Sequence, residues 1–94
     1  MIGTLPLSSN PEDIYTVVIL EVVYQVRQLW NTLGFWTIDI LDEEGSGICT
    51  GIKLVSKSYL MQQYPSIPFD LYINHAVEPD RDNIEDIVCG VYEK

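Results

Sequence analysis

Between Phe35 and Leu54, in FWTIDILDEEGSGICTGIKL, apolar and polar residues alternate on both sides of an acidic, glycine-containing hexapeptide. That spacing commits the segment to strands. A helix would repeat its apolar residues every three or four positions, whereas here Trp36, Ile38 and Ile40 fall on one side and Thr37, Asp39 and Leu41 on the other. Ile48, Ile52 and Leu54 supply the matching apolar face of the following strand. Asp42-Glu43-Glu44-Gly45-Ser46-Gly47, between the two, reads as a hairpin loop with glycine available for a left-handed position.

The N-terminal half follows the same logic with weaker punctuation. Pro11-Glu12-Asp13 resembles a helix start, and a helix running to Asn31 is the rival reading. The β-branched residues Val17, Val18, Ile19, Val22, Val23 and Val26 oppose it, because their χ1 rotamers are restricted in a helix. Tyr24-Gln25-Val26-Arg27 also alternates with strand period. Two strands are therefore expected, near residues 14–20 and 22–31, with a turn near Glu21. Asn31-Thr32-Leu33-Gly34 is a clearer turn, since Asn and Gly accept positive φ at low cost.

Ser58 is placed to cap one helical turn within residues 58–64, which Pro65 and Pro68 then end. A strand at Leu71–His75, a charged loop at 78–83 and a last strand at Asp86–Tyr92 complete the chain. Ahead of all these, the short apolar segment Met1–Leu7 runs into the turn signal Ser8-Ser9-Asn10-Pro11. No repeat or boundary divides residues 1–94, so one domain is expected. Six to seven short strands with turn chemistry between them predict an all-β fold with at most one short helix, a small antiparallel β-sandwich or barrel.

Charge then limits function. Five basic against fourteen acidic residues leave a formal charge of −9, which repels phosphate backbones and anionic membrane surfaces alike. The longest apolar run, Val17–Leu20, is far too short to span a bilayer. No charged segment leads into an apolar one at the start, so synthesis in a cytoplasm without a secretion signal is expected. Cys49 and Cys89 read as buried free thiols in strands, since a secreted scaffold of this size would carry more cysteines.

No chemical constellation emerges. The acidic hexapeptide lacks the alternating oxygens and distal Glu of a calcium loop, so it reads as a solvated hairpin tip. His75 is the only histidine and has no nucleophile motif nearby. Gly45-Ser46-Gly47 and Gly51 form no phosphate cradle. Asp80, Asp82, Glu85 and Asp86 around Arg81 read as a solvated loop with at most weak hold on a divalent ion. No cofactor, metal or catalytic residue is expected. Tyr59, Met61, Tyr64 and Phe69 remain open between two readings, a roof on one end of the core or an interaction surface.

In order along the chain, TLPLSSNPEDIYTVVI, YQVRQLWN, FWTIDILDEEGSGICTGIKLV, YLMQQYPSIPFDLYI and EPDRDNIEDIVCGVYE are similar to the baseplate plug family of contractile-tailed bacteriophages, first recognised in a cyanophage. The resemblance covers nearly the whole chain and departs at Leu20-Glu21-Val22-Val23, where relatives tend to carry a glycine turn. It implies a structural virion component of the tail baseplate, made in a host bacterium. Such a subunit would pack against copies of itself and against hub and tail-tube proteins, binding neither nucleic acid nor membrane. Trp30, Trp36, Tyr59, Met61, Tyr64 and Phe69 are the candidate assembly contacts, although the parity of Trp36 with Ile38 and Ile40 also suits a core position. The competing class is an acidic adaptor or nucleic-acid mimic that occupies a basic partner protein.

Overall fold

A computed structural model describes residues Met1–Lys94 as two antiparallel sheets packed face to face. Its strands are β1 (Gly3–Leu5), β2 (Glu12–Ile19), β3 (Val22–Asn31), β4 (Phe35–Leu41), β5 (Gly47–Lys53), β6 (Phe69–Ile73) and β7 (Cys89–Glu93), with one 3₁₀ turn at Ile84–Asp86. The larger sheet is the meander β2-β3-β4-β5, and the smaller has the order β1-β7-β6. Of the all-β sandwich or barrel expected, the two separate sheets make the sandwich the fold observed.

Alternation also decides what lies between the sheets. Tyr24 and Val26 from β3, Trp36, Ile38 and Ile40 from β4, and Cys49, Ile52 and Leu54 at β5 meet Phe69, Leu71, Ile73, Cys89 and Val91 from the smaller sheet. The Tyr24 and Phe69 rings touch edge to face across the interface, their centroids 5.3 Å apart. Both cysteines are buried and unpaired. One buried polar side chain interrupts this apolar layer. Gln28 follows Tyr24 and Val26 inward, and both its amide nitrogen and its amide oxygen find partners there. Its Nε2 donates to Ser8 O at 2.8 Å, and its Oε1 accepts from Ser8 N and Tyr15 Oη, both at 3.0 Å. That exchange fastens the Ser8 segment to the larger sheet, and a buried amide left unmatched would cost about 1–3 kcal/mol.

Three local expectations are corrected. Ile48 is exposed, and Cys49 points inward in its place, because a bulge at Thr50–Gly51 shifts the register between Ile38↔Ile52 and Ile40↔Cys49. Gly51 takes φ +69° there and donates its N–H to Asp39 Oδ1 at 2.7 Å. Residues 58–64 form successive turns, not a helical turn, with Tyr64 N donating to Met61 O at 3.1 Å and Ile67 N to Tyr64 O at 3.0 Å. The buried Asp70 carboxylate organises that segment by accepting the N–H groups of Met61 and Leu71, each at 2.8 Å. The one short helix lies instead at Ile84–Asp86, so the last strand begins at Cys89, and β6 begins at Phe69 because its edge pairs with that strand.

The first hairpin is tight and unusual in its residues. Ile19 pairs with Val22, leaving Leu20 and Glu21 as a two-residue turn with φ +51° and +66°. Both central residues left-handed is the requirement of a type I′ turn, which normally takes Asn-Gly. The strand pairing therefore holds two ordinary side chains in a conformation they disfavour.

Candidate interaction surface

The polar groups singled out by sequence are engaged in holding loops. Asp42 Oδ1 accepts the N–H groups of Glu44 and Ser46, each at 2.9 Å, which closes the hairpin tip over Gly45 at φ +89°. Asp80 Oδ1 accepts from Asp82 N and Asn83 N, each at 2.8 Å, while Asn83 Nδ2 donates to Glu78 O at 2.9 Å. His75 sits with Nδ1 2.9 Å from Val77 O, within its own turn. Burial pushes the Cys89 thiol up to about 12, so at neutral pH it is a neutral, packed group and not a nucleophile. No three His, Cys, Asp or Glu side chains converge in a way that would hold a metal ion.

The six candidate contacts separate into core and surface. Trp36, Met61 and Phe69 are completely buried, so their surface is already spent on the chain's own core. For Trp36 the cause is parity with Ile38 and Ile40, and its Nε1 donates to Asp80 O at 2.9 Å, which pins the charged loop. Met61 is drawn in by the Asp70 clamp, and Phe69 by its place inside β6. Trp30 is half-buried against Trp36, with centroids 5.2 Å apart, and Tyr64 is half-buried against the core. Tyr59 is 47% exposed. It stands on the outer face of the smaller sheet beside Tyr72 and Tyr92, at centroid separations of 4.7 and 6.3 Å. Gly90 leaves the space these rings use, since a Cβ there would come within 2.9 Å of Tyr92 and of the Met1 sulfur.

A second surface was not picked out from sequence. Among the exposed large apolar side chains, Met1 and Ile2 precede β1, Ile14 and Val18 lie on β2, Leu20 in the hairpin turn and Val22 at the start of β3. β2 turns Tyr15, Val17 and Ile19 toward the core side, yet its solvent face is Ile14, Thr16 and Val18, with Ile14 54% and Val18 68% exposed. An antiparallel sheet with one wet face normally sets polar residues there. Between the free edges of β1 and β2 runs an apolar groove of about 80 Å³, lined by Ile2, Leu5, Val17, Ile19, Leu20 and Val91 among others. Acidic residues concentrate at Asp42–Glu44 and at 78–86, and Glu12, Asp13 and Glu21 lie at the two ends of β2. The signal was present in the sequence as I-x-T-x-V, but strand period alone does not say which sheet face meets water.

Residues 2–92 match the family described as cyanophage baseplate Pam3 plug gp18, and the chain belongs to that family. No curated protein matches the sequence. Membership places the protein in the virion, at the tail baseplate.

Proposed function

We propose that this baseplate plug subunit works by packing: it self-associates near the tail axis of a contractile-tailed phage and docks on hub or tail-tube proteins. The observation that carries this reading is the set of exposed apolar side chains at the N-terminus, on β2 and in its hairpin with β3, namely Met1, Ile2, Ile14, Val18, Leu20 and Val22. Contiguous apolar surface on a small domain marks a place where another protein sits. The tyrosine face of Tyr59, Tyr72 and Tyr92 offers a separate contact for an unlike neighbour, because Tyr is enriched where proteins meet. Of the six candidate contacts, Trp30, Tyr59 and Tyr64 keep accessible surface for such a role. The chain uses no cofactor and performs no catalysis in this role. Its charge of −9 keeps DNA from adhering as the genome passes.

Quantitative mass spectrometry of purified particles tests the assignment. A fixed small number of copies per virion, set by the symmetry of the tail, is the expected result. Absence from particles together with abundance in infected cells would favour the acidic adaptor instead. Binding of duplex DNA to the purified chain at low salt would refute the repulsion argument separately.

A further inference from the structure

Of the six tyrosines in the chain, the fold brings three together. Tyr15 gives its hydroxyl to Gln28, Tyr24 faces Phe69 across the core, and Tyr64 is half-buried against the core. Tyr59, Tyr72 and Tyr92 instead gather on the outer face of the smaller sheet. Within this trio Tyr59 and Tyr72 are the tighter pair, with ring centroids 4.7 Å apart and planes inclined by 42°. That separation lies at the short end of the range for aromatic pairs. Tyr92 meets Tyr59 edge-on at 6.3 Å, with 80° between the planes.

The backbone sets this proximity. Tyr59 and Tyr72 oppose each other in an isolated antiparallel bridge. On either side of it, Lys57 N donates to Ile73 O at 2.8 Å and Leu60 N to Leu71 O at 3.0 Å. Directly opposed residues in an antiparallel pair put their side chains on one face, with Cβ atoms about 4.5–5.5 Å apart. The two rings therefore have little freedom to separate, and a reaction between them starts with both partners already placed. Solvent reaches them as well, since Tyr59 is exposed and Tyr72 half-buried.

We propose that Tyr59 and Tyr72 are an oxidative modification site, which a haem peroxidase with hydrogen peroxide converts to a dityrosine cross-link that ties the 58–64 turns to β6. Each phenol yields an electron to the oxidised haem and its hydroxyl proton to water, leaving a phenoxyl radical with spin on the ring carbons beside the oxygen. A C–C bond forms between a Cε atom of one ring and a Cε atom of the other. Each bonded carbon then releases its hydrogen as a proton while its oxygen regains one, which restores both aromatic rings. The pair has lost two electrons and two protons, and one peroxide takes them up and leaves as two waters. The product closes residues 59–72 into a ring, which restrains the unfolded chain as a disulfide does. It supplies a covalent hold that this chain lacks, because Cys49 and Cys89 are buried and unpaired. The chemistry lies within one chain and is independent of how the subunit associates.

The test treats the full chain, at high dilution, with a haem peroxidase and hydrogen peroxide and weighs the product. Oxygen gained at the exposed Met1 shows that the oxidant has reached the protein. The expected product is a monomer lighter by two hydrogens before any such oxygen is counted. Cleavage after Lys57 and before Asp70 and Asp80 separates residues 58–69 from 70–79 in the untreated chain, and these two peptides should stay joined after treatment. Tyr59→Phe and Tyr72→Phe keep the rings and remove the hydroxyls, and each should lower the yield at least tenfold. Tyr64→Phe and Tyr92→Phe should leave it unchanged. The linked chain should melt roughly 10 °C higher than the unlinked one. Oxidised Met1 with the two peptides still separate, cross-links found only between chains, or a link that survives either of the first two substitutions would each overturn the assignment.

Discussion

Replacing Glu21 with glycine should stabilise the protein, although it removes a side chain from a strand-connecting turn. Glu21 is held at φ +66° between Ile19 and Val22, which pair directly, so the turn has no slack through which to relax. A non-glycine residue in the left-handed region costs about 1–2 kcal/mol. Glycine removes that cost but adds freedom to the unfolded chain, taking back ~0.5–1 kcal/mol. The net gain is about 0.5–1 kcal/mol, and for a domain of this size that raises Tm by about 3–6 °C. Thermal unfolding followed by near-ultraviolet circular dichroism, which reads Trp30 and Trp36, measures it. Glu21→Ala is the necessary companion, since it deletes the charge but keeps the Cβ and should leave Tm nearly unchanged. If both variants rise equally, relief of acidic repulsion explains the gain. If Glu21→Gly falls, the left-handed pair is not under strain and the account of this hairpin is wrong.

Gln28→Leu should cost about 2–4 kcal/mol in urea unfolding, because it strips partners from Ser8 and Tyr15 while keeping the volume; a loss under ~0.5 kcal/mol would mean water replaces the amide there. Asp70→Ala should cost about 2–3 kcal/mol by freeing the N–H groups of Met61 and Leu71, whereas Asp70→Asn, which keeps an acceptor oxygen, should lose clearly less. Alkaline pH should weaken the fold through Cys89. The folded thiol keeps its proton up to about 12 while an unfolded one releases it near 9. This contribution is therefore complete below pH ~9 and declines by up to ~1.4 kcal/mol per pH unit above it. Burial also raises Tyr15, which steepens the loss further up the scale. A Cys89→Ala variant should show the shallower slope; identical slopes would exclude the thiol as the cause.

How much of the fold is legible in the sequence follows the physical range of each signal. Side-chain alternation is local, so the strands of the larger sheet and their inward faces can be read from the spacing of Tyr24, Val26, Trp36, Ile38 and Ile40 alone. The glycine turns at Gly34 and Gly45 are equally readable, and both take positive φ, +108° and +89°. Where one residue is inserted, the period fails without warning: Gly51 hints at a bulge, and overlooking it exchanges Ile48 for Cys49. The 58–64 segment misleads because Ser58 suggests a cap, whereas the buried Asp70, distant in sequence, supplies the acceptor that shapes it. Aromatic identity is a poor guide to the surface for the same reason. Trp36 and Phe69 are large enough to interest a partner, but also large enough to be claimed first by a small core.

Sheet edges are the feature least accessible to sequence. Whether a strand is central or terminal depends on which strands join which sheet. β6 and β7 leave the meander and recruit β1 from the far end of the chain. Only once that order is known does β2 become the outermost strand of its sheet, and only then does the apolar solvent face of Ile14 and Val18 acquire meaning. The chain ends its larger sheet on eight residues without a bulge or proline, opening on the acidic pair Glu12 and Asp13. Of the four edge strands β2 is the longest, and nothing in its own spacing says that one of its sides is left unpaired.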